Sequence, residues 1–130
     1  PAGIVCGNTS KVNYLNFASS KVSGWLPSCA AGEANPSLHV YILHRNSISG
    51  QIPNMKGFTG LQVLDITSTR IQGSVDNLPS ENVQYIIADG GDLSGNIERL
   101  AEMLNLDTVR LAGNRLSGTI PEGLFHKNLK

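Results

Sequence analysis

The sequence predicts a repeat solenoid of the α/β class, mostly β, with a parallel β-sheet along one face. Glycines recur 26, 23, 22 and 23 residues apart, at Gly24, Gly50, Gly73, Gly95 and Gly118. Upstream of each glycine, a short alternating apolar stretch has the two-residue period of a β-strand. A fixed period in this range is typical of coils that bury their apolar side only by stacking on their neighbours.

Each repeat carries apolar residues at matching positions, which predicts one continuous core. The strand set is Val12, Leu15, Phe17; Leu38, Tyr41, Leu43; Leu61, Leu64, Ile66; Val83, Ile86, Ala88; and Leu106, Val109, Leu111. A second set surrounds the glycines: Val22 and Leu26, Ile48 and Ile52, Ile71 and Val75, Leu93 and Ile97, Leu116 and Ile120. Glycine suits the sharp turn between the members of each pair, because it adopts a positive φ at little cost.

Length and charge exclude several classes of function. The chain has 130 residues, with ten basic and ten acidic side chains, so it is one domain by size and has no net charge to attract nucleic acid. No apolar run approaches the ~18 residues of a membrane span. We therefore expect no nucleic-acid partner and no membrane insertion by this segment.

The fifth repeat carries the most regular motif. Residues 106–124 read LDTVRLAGNRLSGTIPEGL. This resembles the plant-type leucine-rich repeat, LxxLxxLxLxxNxLSGxIPxxL, an extracellular class found in receptor-kinase ectodomains, polygalacturonase inhibitors and protozoan surface antigens. The resemblance implies a right-handed superhelix with its parallel sheet on the concave face, and a binding role outside the cell.

Two positions of the family motif vary along the chain. The Asn position, whose side chain bonds the backbone of the turn in this family, holds Asn46 and Asn114, but Ser20, Thr69 and Gly91 in the other repeats. Ser and Thr can replace the amide in part, and Gly cannot. The Pro position becomes Asp76 and Glu98 in the third and fourth repeats, which leaves their convex side undetermined.

The repeats set the expected domain organisation. Residues 1–8 correspond to the remnant of an N-terminal cap, and residues 9–130 to one leucine-rich repeat domain. Its five repeats cover about 9–34, 35–57, 58–79, 80–102 and 103–130.

The two cysteines lie one coil apart. Neighbouring strands are ~4.8 Å apart, which is compatible with a Cys6–Cys29 disulfide. Two unpaired thiols, or a Cys6 whose partner lies elsewhere, are equally open alternatives. Asn8-Thr9-Ser10 is a glycosylation sequon. Together with the resemblance, these features predict a disulfide-containing glycoprotein at the cell surface or outside the cell.

The sequence carries no recognised catalytic motif. Gly90-Gly91 occupies the turn position of the fourth repeat, so it is not read as a phosphate-binding loop. Asp65, Asp89, Asp92 and Asp107 occupy different repeat positions, which favours solvated acidic residues over a metal cluster. We therefore expect a non-enzymatic protein without a cofactor or metal.

Residues that alternate with the buried strand positions should face outward from the concave sheet. Several of them are apolar, and exposed apolar patches with a polar rim are typical of interaction sites. The residues predicted to bind a ligand are Ile42, His44, Arg45, Asp65, Tyr85, Ile87, Asp89 and Arg110. The alternative is that the β-branched residues among them serve only strand formation.

These observations predict an extracellular recognition module that binds a protein or peptide through the concave face. One alternative is a structural protein that associates with itself through exposed terminal repeats. Another is an inhibitor of a secreted cell-wall-degrading enzyme, a role known in the family.

Overall fold

The computed structural model describes residues 5–7, 9–30 and 32–124. In this part of the chain, ten β-strands form two parallel five-stranded sheets, with one strand of each sheet in every coil. The concave sheet contains β1 (Tyr14–Asn16), β3 (Val40–Ile42), β5 (Val63–Asp65), β7 (Tyr85–Ile87) and β9 (Thr108–Arg110). The second sheet contains β2 (Ser23–Gly24), β4 (Ser47–Gln51), β6 (Arg70–Ser74), β8 (Asp92–Asn96) and β10 (Arg115–Ser117). The predicted β-solenoid is confirmed.

The concave sheet is built from three-residue strands whose central residue points into the core. Leu15, Tyr41, Leu64 and Ile86 are at most 8% exposed, and each is flanked by two residues on the outer face. The strands pair in chain order without offset, so equivalent positions line up across all five coils. The two-residue period thus separates a core side from an outward-facing side.

The second sheet depends on the recurring glycines. Gly73 has a φ of +111°, and a Cβ at this position would lie 2.7 Å from Gln51 Oε1 and 3.2 Å from the Ile52 side chain. Any other residue would therefore combine an unfavourable backbone conformation with a clash against the preceding coil. The repeat motif is the sequence signature of this close coil-to-coil approach.

The core is deepest in the central repeats and opens towards both ends. Leu38, Leu61, Leu64, Leu78, Val83 and Ile86 have no solvent exposure. Two residues predicted to be buried are exposed: Phe17 is 40% exposed and Ile120 is 64% exposed. Both lie in terminal coils, and no further described coil covers them. Their exposure follows because a solenoid buries a side chain only between two neighbouring coils.

Asparagine side chains tie neighbouring coils together. Asn46 is buried; its amide donates to the carbonyl oxygens of Phe17 and Leu43, and its Oδ1 accepts the Val22 N–H. Thr69, at the same motif position, donates to the Ile66 carbonyl at 2.8 Å. The predicted partial replacement of Asn by Thr is therefore realised in the third repeat.

Short 3₁₀ helices occupy the convex side of the third, fourth and fifth repeats, and the third and fourth of these lack the motif proline. They span Val75–Asn77 and Ile97–Glu102, and a third spans Glu122–Leu124. The Ser74 hydroxyl accepts the Asp76 N–H at 3.1 Å, and Asn96 Oδ1 accepts the Glu98 N–H at 2.9 Å. Because Asp76 and Glu98 supply an N–H that proline lacks, the departures from the motif allow capped helical turns.

Cys6 and Cys29 form a disulfide, with their Cα atoms 5.0 Å apart. Of the alternatives that the sequence left open, the structure thus has the bridge between adjacent coils. The sequon residue Asn8 lies outside the described residues, so its glycosylation stays a prediction.

Candidate functional site

The outward residues of the concave face form three rows that cross the strands. The first row is Tyr14, Val40, Val63, Tyr85 and Thr108, and the second is Asn16, Ile42, Asp65, Ile87 and Arg110. Backbone bonds beyond the strands, such as Arg45 N–H to Thr67 O and Ser68 N–H to Asp89 O, extend the ladder. They align a third row: Ala18, His44, Thr67, Asp89 and Ala112.

Six of the eight predicted ligand-binding residues converge on one depression of the concave face. Its volume is ≈ 360 Å³, and it is lined by His44, Arg45, Asp65, Thr67, Ile87, Asp89 and Arg110. The remaining two, Ile42 and Tyr85, lie in the first two rows of the same face. Thr67 also lines the depression but is not among the predicted ligand-binding residues, although the repeat alignment places it beside His44.

An ion pair forms one side of the depression. Arg110 Nη2 lies 2.6 Å from Asp89 Oδ2, and Asp89 Oδ1 accepts the Ala112 N–H at 2.9 Å. The Asp89 side chain is 18% exposed, whereas that of Arg110 is 65% exposed. Both carboxylate oxygens of Asp89 are thus engaged by the fifth repeat, which holds this side of the site in one geometry.

The centre of the depression offers unused hydrogen-bonding capacity. Asp65 Oδ1 accepts the Thr67 N–H at 3.0 Å. The Thr67 hydroxyl is buried and has no hydrogen-bond partner within the described part of the chain. A buried hydroxyl without a partner costs about 1–3 kcal/mol.

Arg45 lies on the opposite rim in an unusual backbone conformation. Its φ is +56°, and the equivalent positions Ser19, Ser68, Gly90 and Gly113 also have positive φ. A left-handed conformation costs an L-residue roughly 1–2 kcal/mol relative to glycine. The exposed Arg45 guanidinium makes no ion pair with any described residue, so the neighbouring side chains do not offset this cost.

The floor beside these polar groups is apolar. Val40, Ile42, Val63 and Ile87 are half-buried, and Tyr85 is 38% exposed. Neighbouring β-branched side chains shield one another in part, as the strand-formation alternative requires. The face nevertheless combines apolar area with a charged rim, an arrangement typical of protein-binding surfaces.

A second, apolar depression of ≈ 400 Å³ lies at the N-terminal end of the solenoid. Core residues of the first two coils line it, including Leu15, Tyr41 and Leu43, with Phe17 and Trp25 at its edge. It is the open end of the core rather than part of the concave face.

Neither a metal-binding cluster nor a membrane-spanning helix is found among the described residues. In those ranges, no group of three or more His, Cys, Asp or Glu side chains is placed to hold a metal ion. None of the helices there has both the length and the apolar character that crossing a bilayer requires. The concave groups can form hydrogen bonds, ion pairs and apolar contacts with a partner.

Comparison with known proteins gives one family and one fold. The Leucine Rich Repeat family profile matches residues 105–126. A search of curated protein sequences gives no match. Among solved structures, the plant peptide hormone receptor RGFR1 in complex with RGF2 is 30% identical with a TM-score of 0.78, over 95% of this chain and 20% of that chain.

Two Arabidopsis thaliana structures are similar as well. The BIR3–SERK2 complex gives 28% identity and a TM-score of 0.70, over 88% of this chain and 62% of that chain. The ectodomain of the receptor kinase GASSHO1/SCHENGEN3, in complex with CASPARIAN STRIP INTEGRITY FACTOR 2, gives 23% identity and a TM-score of 0.71, over 87% of this chain and 14% of that chain. The chain thus spans about a fifth or less of the two peptide receptors. The repeat motif, the family profile at residues 105–126 and the solenoid fold agree, and the chain is similar over most of its length to part of a plant peptide hormone receptor.

Proposed function

We propose that this protein is an extracellular recognition module that binds a protein or peptide segment through its concave face, without catalysis. The observation that carries this proposal is the convergence of Arg45, Asp65, Thr67 and the Asp89–Arg110 pair around one depression beside an apolar floor. Arg45 and Asp65 offer charged groups that form no ion pair with a described residue.

The size of the face favours a short segment as the partner. Five strands at ~4.8 Å spacing span roughly 20 Å. An extended peptide of about six residues has this length. Two similar structures are complexes, one of the plant peptide hormone receptor RGFR1 with RGF2 and one of BIR3 with SERK2, which supports a protein or peptide partner. The Cys6–Cys29 disulfide supports an oxidising, extracellular compartment.

The first step of the test is a pull-down from extracellular extract, with the intact chain as bait, to isolate a partner. Its affinity is then measured by calorimetry for the wild type and for the Tyr85→Ala/Ile87→Ala variant. We expect the variant to weaken binding at least about tenfold, because central aromatic and apolar anchors dominate interface energetics. Asp89 is left unchanged, since its carboxylate also bonds the Ala112 backbone.

The matched control lies on the second sheet. Gln51 and Gln72 are exposed neighbours on β4 and β6, and Gln51→Ala/Gln72→Ala should leave the affinity within about twofold, as expected of residues outside an interface. Equal losses for both variants would reject the concave face as the binding site. Light scattering at several concentrations should give a constant monomer mass, whereas a mass that rises with concentration would favour the self-assembly alternative.

A further inference from the structure

Three exposed basic residues follow the first concave strands. Lys21 and Arg45 lie in the loops after β1 and β3, Arg70 is the first residue of β6, and we call these three residues the basic edge. None of the three forms an ion pair with a described acidic residue. Neighbouring coils are ~4.8 Å apart, so the three cations lie within reach of one short segment.

The other half of the same edge is neutralised. In the fourth and fifth repeats Asp89 pairs with Arg110 at 2.6 Å, and Asp92 pairs with Arg115 at 3.4 Å. In the first three repeats, the concave rows contribute Asp65 as the opposing carboxylate, and one of its oxygens already accepts the Thr67 N–H. Positive charge therefore remains uncompensated at the N-terminal half of the concave face.

The backbone gives a second, independent indication at Arg45. Its positive φ is shared by the equivalent serines and glycines of the other repeats, and a long side chain is the least expected choice there. Residues held in such sparsely populated backbone regions are concentrated at functional sites. Arg45 also lines the depression that contains the unpartnered Thr67 hydroxyl.

We propose that the partner segment bound by the concave face is an acidic peptide, and that its carboxylates pair with the basic edge. Arg45 accommodates one carboxylate through its planar guanidinium, which forms two parallel hydrogen bonds with such a group. This inference rests on the proposed function and specifies the chemistry of its partner.

The test is selection of displayed random peptides of about ten residues on the immobilised wild-type chain. We expect the selected peptides to be enriched in Asp and Glu. Their affinity should fall when sodium chloride rises from about 50 mM to about 500 mM, because salt screens exposed charges.

Single substitutions test whether the selected peptides contact the basic edge. Arg45→Ser introduces the residue found at the equivalent positions Ser19 and Ser68, so it should fold normally and weaken the selected peptides about three- to tenfold. Arg70→Gln should add a smaller loss. Lys56→Gln, an exposed cation outside the concave rows, is the control and should leave the affinity unchanged.

The outcomes separate this inference from the proposed function. Selected peptides without acidic residues that still lose affinity on Tyr85→Ala/Ile87→Ala would overturn the acidic partner alone. Acidic peptides that bind Lys56→Gln as weakly as Arg45→Ser would reject the basic edge. Binding of oligogalacturonate more tightly than any selected peptide would assign the edge to an acidic polysaccharide instead. If neither Tyr85→Ala/Ile87→Ala nor Arg45→Ser changed the affinity of the selected peptides, the proposed function would be rejected as well.

Discussion

Asn46 donates a 2.7 Å hydrogen bond from its side-chain amide to the carbonyl oxygen of Phe17, one coil away. The same side chain donates to the Leu43 carbonyl at 2.9 Å, and its Oδ1 accepts the backbone N–H groups of Ser20 and Val22. One buried amide thus completes the turn of two repeats.

We expect Asn46→Ala to lower the free energy of unfolding by about 3 kcal/mol, because it leaves several backbone groups without partners in a closed site. Chemical denaturation measures this loss. Asn16→Ala is the control: Asn16 is exposed and accepts the Ala18 N–H within a single turn, so its loss should be below about 1 kcal/mol. Similar losses for the two variants would contradict the stabilising role of Asn46.

Gly60 lies against the backbone of the preceding coil, and this contact predicts a large effect of a single methyl group. A Cβ at Gly60 would overlap the carbonyl oxygen of Pro36, and Gly60→Ala should cost about 2–3 kcal/mol of stability by overpacking. At Gly123, the added Cβ would lie 3.4 Å from the Ala101 Cβ, an ordinary contact. Gly123→Ala should therefore be neutral in the same denaturation experiment, and equal effects would argue against the close approach at Gly60.

Tyr41 is 4% exposed in the core, and burial raises its pKa from 10.0 to about 12. The folded state therefore favours the neutral phenol. The neutral phenol thus contributes roughly 2–3 kcal/mol to the free energy of unfolding below pH about 10. This contribution is lost as the pH rises towards about 12. Urea unfolding at several alkaline pH values measures this slope. Tyr41→Phe should remove the contribution, and an identical slope in both proteins would refute the assignment.

The Cys6–Cys29 bridge closes a loop with a sequence separation of 23 residues. Such a loop predicts that reduction lowers the free energy of unfolding by about 3 kcal/mol. The unreduced, denatured protein should show no titratable thiol. A Cys6→Ser/Cys29→Ser variant should match the reduced wild type and should not respond to reductant; two free thiols in the untreated protein would exclude the bridge.

The repeat pattern was sufficient to predict the concave strands and most of the site. Leu15, Tyr41, Leu64 and Ile86 are buried as the two-residue period requires, and equivalent positions of the repeats are aligned across the sheet. Because a solenoid brings equivalent positions into contact, residues distant in sequence could be placed side by side. Whether these residues bind a ligand stays a prediction.

Several features could not be predicted from the repeat pattern. Phe17 occupies a core position of the motif, yet it is 40% exposed because its burial depends on a neighbouring coil. Likewise, the motif does not show that Asp89 pairs with Arg110 while Arg45 forms no ion pair with a described residue, since such pairing depends on how long side chains extend across the ladder.

The sequence by itself determined the recurring glycines, the strand period and hence which residues share the concave face. These properties are local, because backbone preferences and alternation are set residue by residue along the chain. Only the tertiary structure decided the second sheet, the 3₁₀ turns at Asp76 and Glu98, the Cys6–Cys29 pairing and the charges that remain free. Each of these depends on distances between side chains or backbone groups of neighbouring coils, which the repeat period constrains but does not specify.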